Sequence, residues 1–250
     1  MRPITLDGFD RKFVDDDDPW STFTNRDEAL KRRAILHAMG PGPWGRVLEL
    51  AAGNGSNSAA IAERALRLDA TEGTASGTTL VARALKGRRR ARALKLIVPA
   101  ALPRLRYDIA VVAEVIYYLS ARDMARTARD VATALRPGGM LVLAHHRVDY
   151  PDFAQHAPHL QRAFLRVTGR RWQVRVVRRT RRWVVLSCNL RDRRCSDQPL
   201  APDARLCASR RVALLGARTK SAASAEARAS GYGHRARALS GRIMDRGVPA

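Results

Sequence analysis

Between Val47 and His146, short apolar runs alternate with alanine-rich, helix-forming stretches, and this alternation restricts the chain's possible folds more than any other feature. Val47–Leu50 reads as a strand, Ser58–Leu66 as a helix, Leu68–Thr71 as a second strand and Thr79–Leu85 as a second helix. "LKLIVP" (94–99) is strand-like, and "YDIAVVAEVIYYL" (107–119) opens as a buried strand. "ARDMARTARDVATALRPGG" (121–139) is helical up to its Pro-Gly-Gly end, and "MLVLAHH" (140–146) is again a strand. Strands apolar on both faces need cover on both. The order therefore predicts an α/β fold, a mainly parallel sheet with helices on each side.

The flanks are read differently. "NRDEALKRRAILHAM" (25–39) predicts a helix with Asn25 as N-cap, acids in its first turn and bases after them. "HLQRAFLRVTG" (159–169) predicts another, closed by Gly169. "WQVRVVRR" (172–179) and "RWVVLSCNL" (182–190) alternate apolar with polar or basic residues around a short turn, the pattern of an antiparallel hairpin. Residues 1–18 read as a flexible acidic lead, 19–190 as the folded domain and 191–250 as a basic, disordered tail of Ala, Arg, Ser, Gly and Pro.

Composition narrows the setting. A hydrophobic fraction of 46% suits a globular protein, and no 18-residue uncharged apolar run predicts a membrane span. The acidic start has no apolar core of a secretory signal. Cys188, Cys195 and Cys207 lie far from paired metal-ligand spacing and are too sparse for a disulfide framework. The expectation is a cytoplasmic protein without a structural metal. The net charge of +23 is carried almost wholly by arginine, with five lysines, and is spread over many segments. A nucleic-acid partner and a bias towards arginine and alanine throughout the chain both account for it.

Candidate chemistry centres on "RVLELAAGNGSNSAAIAE" (46–63). Gly53 and Gly55, after a strand and before a helix, let the backbone take positive φ and bring bare N–H groups to a ligand, although Gly-Asn-Gly also serves as a plain turn. Open α/β sheets bind ligands at the carboxyl ends of their strands. Glu72 closes the second strand, 23 residues after Glu49, where an acid accepts hydrogen bonds from ribose hydroxyls. A full G-x-G-x-x-G is missing, and Glu49 would repel a pyrophosphate. Two carboxylates instead favour a cationic, phosphate-free nucleoside such as S-adenosylmethionine.

"VLELAAGNG" resembles the first motif of class I S-adenosylmethionine-dependent methyltransferases, and the likeness runs from about Asp15 to Leu190. "DDDPWSTFTNRDEALKRR" and "YDIAVVAEVIYYLS" are similar to segments of the nodulation protein S-like N-methyltransferase group, and "LRPGGMLVLAHHR" to the helix–turn–fifth-strand segment found across the superfamily. The resemblance implies a Rossmann-like, mainly parallel seven-stranded sheet ending in the antiparallel hairpin. It implies S-adenosylmethionine as cofactor, bound by Glu49, Ala51, Gly53, Asn54, Gly55, Glu72, Val98 and Ala113. Ala51 and Ala52 stand where the family has Gly-Cys, and an alanine at 51 suits the bend only with a negative φ.

Methyl transfer needs a positioned, dehydrated nucleophile more than an activated electrophile. Glu114, Tyr117 and His146 are the expected catalytic residues. Tyr118 and His145 are their neighbours in the same strand ends, and Trp20 and Arg33 are candidates for an N-terminal lid. The acceptor expected is an amine or hydroxyl of a small polar, possibly sugar-derived molecule. The alternatives are an RNA methyltransferase working through the basic surface and a non-catalytic methyltransferase fold bound to nucleic acid.

Overall fold

The computed structural model describes residues 3–191; the tail expected beyond Arg191, with Cys195 and Cys207, lies outside the described residues. Two helices, α1 (Leu6–Asp15) and α2 (Arg26–Ala38), precede the sheet. Then come β1 (Trp44–Leu50), α3 (Ser56–Ala62), β2 (Ala65–Glu72), α4 (Ala75–Ala84), β3 (Ala91–Lys95) and β4 (Tyr107–Ala113). A single 3-10 turn (Ile116–Tyr118) leads to α5 (Ala121–Ala134), β5 (Leu135–His146), α6 (Leu160–Val167), β6 (Trp172–Arg179) and β7 (Trp183–Leu190). Among the described residues no helix is long and apolar enough to cross a membrane.

The seven strands form one sheet in the order β3-β2-β1-β4-β5-β7-β6, parallel from β3 to β5, with β7 antiparallel to both β5 and β6. This is the expected Rossmann-like methyltransferase arrangement with its terminal hairpin. Alternation assigns the strand residues to two cores. Val47, Val111, Val142 and Trp183 join Ile35 and Ala38 of α2 and Val81 of α4 on one face. Leu48, Val112, Leu143 and Cys188 join Met124 and Val131 of α5 and Phe164 of α6 on the other. Truncating a fully buried leucine such as Leu48 to alanine costs about 2–5 kcal/mol.

Four of the differences from the elements read in the sequence have a clear physical cause. Helix α3 stops at Ala62, not Leu66, because Ala65 pairs with Trp44 and the chain has already entered β2. Strand β3 occupies 91–95 rather than 94–99, in register with Leu68–Glu72. Leu135 pairs with Tyr107, so β5 begins five residues early and α5 ends at Ala134. In each case inter-strand hydrogen bonding outweighs the local helix or strand preference. The fourth change is at the N-terminus. Within the 1–18 segment read as flexible, Leu6–Asp15 is a helix capped by Thr5, whose hydroxyl accepts the Gly8 N–H, and its Phe13 is buried.

Candidate active site

The carboxyl ends of β1, β2, β4 and β5 meet along one edge of the sheet. After Leu50 the chain turns through Ala51 (φ 55°), Gly53 (φ 62°) and Gly55 (φ 84°) before α3 begins at Ser56. Gly55 has no room for a side chain, since a Cβ there would sit 2.8 Å from the Ala84 methyl and 3.0 Å from the Val81 Cα. Ala51 is in the left-handed region, contrary to the negative φ expected of it. That conformation costs an L-residue about 1–2 kcal/mol, and the turn holds it because the Ala52 N–H is tied to the Thr71 carbonyl at 2.8 Å.

Two acids flank the bend. Glu49, one residue before the end of β1, is buried; Ser58 donates to its Oε2 at 2.5 Å, and its Oε1 is buried without a partner. Burial pushes its carboxyl up to about 7, with the Ser58 hydrogen bond opposing and the Glu72 charge adding to the rise. Glu72 ends β2. Its Oε2 accepts the Gly53 N–H at 2.9 Å, and its Oε1 accepts the N–H and hydroxyl of Thr74 at 3.0 and 3.1 Å. Burial raises its pKa as well, against those hydrogen bonds.

Asn54 turns away from the acids. Its Nδ2 donates to Asp18 Oδ1 at 2.8 Å, and its Oδ1 accepts from Thr22 Oγ1 and the Ser56 N–H. Asp18 also accepts the Thr22 and Phe23 N–H groups, so the acidic Pro-Trp stretch is strapped to the glycine bend. Helix α1 lies over the same edge: Asp10 Oδ1 accepts the Ser76 N–H at 2.9 Å, and the Phe13 ring lies against Gly53 and Gly77, on the sides where their side chains would be. Trp20 packs edge-on against Phe13 and lies near Phe9. Arg33 is exposed on α2 and takes no part. A hollow of about 250 Å³, lined by Asp18, Phe23, Asn54, Leu80 and Arg83 but by neither Glu49 nor Glu72, opens beside the bend. A larger one, about 430 Å³, lies by Pro41–Pro43, Arg64 and Arg90, away from both acids. Val98 is half-buried against the same apolar cluster as Ala51, and Ala113 is the buried last residue of β4.

The three expected catalytic residues form one cluster. Glu114, just past β4, has a left-handed backbone (φ 53°) held by its N–H to the Ala144 carbonyl at 2.9 Å. Tyr117 donates its hydroxyl to Glu114 Oε2, which also accepts the His146 N–H at 3.2 Å. His146 Nε2 lies 3.9 Å from Glu114 Oε1. Tyr117 is the buried member of its pair, stacked on Phe153 at 3.7 Å between ring centres, whereas Tyr118 is partly open and meets Phe9 edge-on. His145 faces Gln161 of α6, and burial pushes its pKa down to about 4, which keeps it neutral near pH 7.

Sequence reasoning missed Lys31. Its ammonium reaches Glu28 at 2.8 Å and Glu114 at 2.5 Å, with a side chain only 5% exposed. The signal was present: residues 31, 34, 35 and 38 of α2 are its buried face, and a lysine among two alanines and an isoleucine on that stripe needs an internal partner.

Residues 48–141 match the family model described as a methyltransferase domain. A search of curated proteins gives no match. Solved structures with the same fold include the N-methyltransferase NodS from Bradyrhizobium japonicum WM9 in complex with S-adenosyl-L-homocysteine, at 17% identity and a TM-score of 0.63, covering 76% of this chain and all of that one. A putative methyltransferase from Pseudomonas syringae is 23% identical with a TM-score of 0.56, over 66% of this chain and 99% of the other. The DhpI–SAM–HEP complex is 17% identical with a TM-score of 0.59, over 73% and 94%.

Proposed function

With a methyltransferase domain set in a class I methyltransferase fold as the premise, we propose that this chain transfers a methyl group from S-adenosylmethionine to an amine or hydroxyl of a small polar acceptor. The observation that carries the reading is the pair of buried carboxylates, Glu49 and Glu72, on either side of the bend at Gly53. The residues fit the donor. Glu49 Oε1 is a buried acceptor without a partner, which a cationic ligand would satisfy. The carboxylates suit a sulfonium and an ammonium and would repel a phosphate.

In this reading Glu49 and the Ala51–Gly55 backbone hold the methionine end of the donor, and Glu72 the ribose. Val98 and Ala113 line its remaining sides. The donor supplies an already activated methyl group. The protein's share is to align the nucleophile, exclude water and stabilise charge as it shifts. Glu114, oriented by Tyr117 and the His146 N–H, faces the acceptor as a hydrogen-bond acceptor. His146 is the base available to a hydroxyl, which must lose its proton, whereas a neutral amine needs none during transfer. The roof of α1 and the strap through Asp18 exclude water and must part to admit the donor.

The test is incubation with S-adenosylmethionine carrying a labelled methyl group and a cell extract. Label in a small polar metabolite is the expected result, and label confined to RNA would replace the acceptor class. Among the described residues, the exposed arginines 175, 178 and 179 on edge strand β6 favour RNA, but charged edge strands also serve simply to block sheet-to-sheet pairing.

A further inference from the structure

Lys31 sits where two segments far apart in sequence meet, the inner face of α2 and the carboxyl end of β4. Burying an ammonium is costly unless it is paired and hydrogen-bonded. Here it is paired twice, to Glu28 one turn back on its own helix and to Glu114 eighty-three residues on. Glu114, for its part, takes hydrogen bonds from Lys31 on one oxygen and from Tyr117 and the His146 N–H on the other. Its backbone occupies a left-handed conformation that only well-determined surroundings maintain in a glutamate.

We propose that Lys31 is a positioning residue of the methyl-transfer site: lodged between Glu28 and Glu114, it fixes the Glu114 carboxylate at the end of β4 as an anion facing the acceptor. This rests on the methyltransferase reading above. Two carboxylates share one ammonium, so this end of the site keeps an unbalanced negative charge. The groups around Glu114 are Lys31 from α2, with Glu28 on its other side, His145 and His146 from β5, and Tyr117 and Tyr118 from the turn after β4. Burial alone would push the Glu114 carboxyl up; the opposing interactions, led by the charge of Lys31 and including its hydrogen bond, more than reverse this. Lys31 remains protonated for the reciprocal reason, since Glu114 and Glu28 outweigh its burial. A carboxylate held in this way is a weak base and a strong counter-charge. It stabilises positive charge developing on the acceptor and does not take a proton from it.

Removing the ammonium would leave Glu28 and Glu114 as neighbouring carboxylates without their shared cation, a pair that resists full ionisation. The experiment is carbon-13 NMR of the full chain carrying [δ-13C]glutamate, with the Glu114 signal assigned by its loss in Glu114→Gln. In the wild type the signal is expected to titrate below the ordinary glutamate range. In Lys31→Met the midpoint should rise by more than one pH unit, and Lys31→Arg should restore it. A wild-type midpoint in or above the ordinary range, or one unmoved in a folded Lys31→Met, overturns the assignment. Should Lys31→Met not fold, the wild-type titration decides alone. S-adenosylmethionine is then titrated into the wild type. If calorimetry shows binding, the Glu114 signal must shift, and a still signal sinks the role in the site. If no binding occurs, the methyltransferase reading fails, and this inference with it.

Discussion

Glu49 concentrates the cost of building this edge of the sheet. Its folded carboxyl is raised to about 7 from an unfolded value near 4.5, so between those values the native state binds more protons than the unfolded chain. Stability from this group is therefore full in acid and falls as pH climbs through that window, by about 3 kcal/mol at 1.36 kcal/mol per unit. His145, buried and pushed down to about 4, contributes the opposite slope, so the test is a difference: in urea unfolding of the ligand-free protein, raising the pH from 5 to 8 should cost the wild type more stability, or gain it less, than it does Glu49→Gln. A slope unchanged in the variant would assign it to other groups. Ala51, at φ 55°, makes a second residue-scale prediction: Ala51→Gly should leave the midpoint of unfolding unchanged or stabilise by up to about 1 kcal/mol, because glycine takes that turn without the Cβ clash. The acids were legible in the sequence because an acid closing an apolar strand has few structural uses. The sign of φ at Ala51 was not, since it depends on where the Thr71 carbonyl lies once β1 and β2 have paired.

Among the elements, α1 and the strap after it separate what local pattern shows from what tertiary contact decides. "DGFDRKFVDDDD" reads as flexible because acids dominate it, yet Phe9 and Phe13, one turn apart, give it an aromatic stripe. That stripe acquires its meaning from Trp20, Tyr118 and Gly77, which lie elsewhere in the chain. The inner strands β1, β2 and β4 and helix α2 were legible for the opposite reason. Their apolar spacing is local, and Asn25 caps α2 as read, accepting the Asp27 N–H at 2.8 Å. The latch between strap and bend should respond to one atom. Asn54→Asp replaces the donor to Asp18 with a second carboxylate, so the Thr22 and Phe23 amides should exchange hydrogen at least several-fold faster, in line with a lost charged hydrogen bond worth about 1.5–3 kcal/mol. Unchanged exchange would mean that the strap is held by its aromatic contacts alone.

At the scale of the whole molecule, the sheet brings an acid from the end of β1, one from β2 and one from just past β4 to a single edge, with α1 and α2 closing over it. That topology brings residues 49, 72 and 114 to the edge where the proposed site lies, and Lys31 meets Glu114 there from a helix that precedes the sheet. The charge of +23 does not explain it; the site's own character is anionic, within a strongly basic chain. The central claim is that Glu49 and Glu72 grip a positively charged nucleoside at the glycine bend. Calorimetric titration of the wild type and of Glu72→Ala with S-adenosylmethionine tests it most directly. The account predicts saturable one-to-one binding to the wild type and a loss of about 1–3 kcal/mol in the variant, as for a missing charged hydrogen bond. Absence of wild-type binding, or an equal dissociation constant in Glu72→Ala, would contradict it.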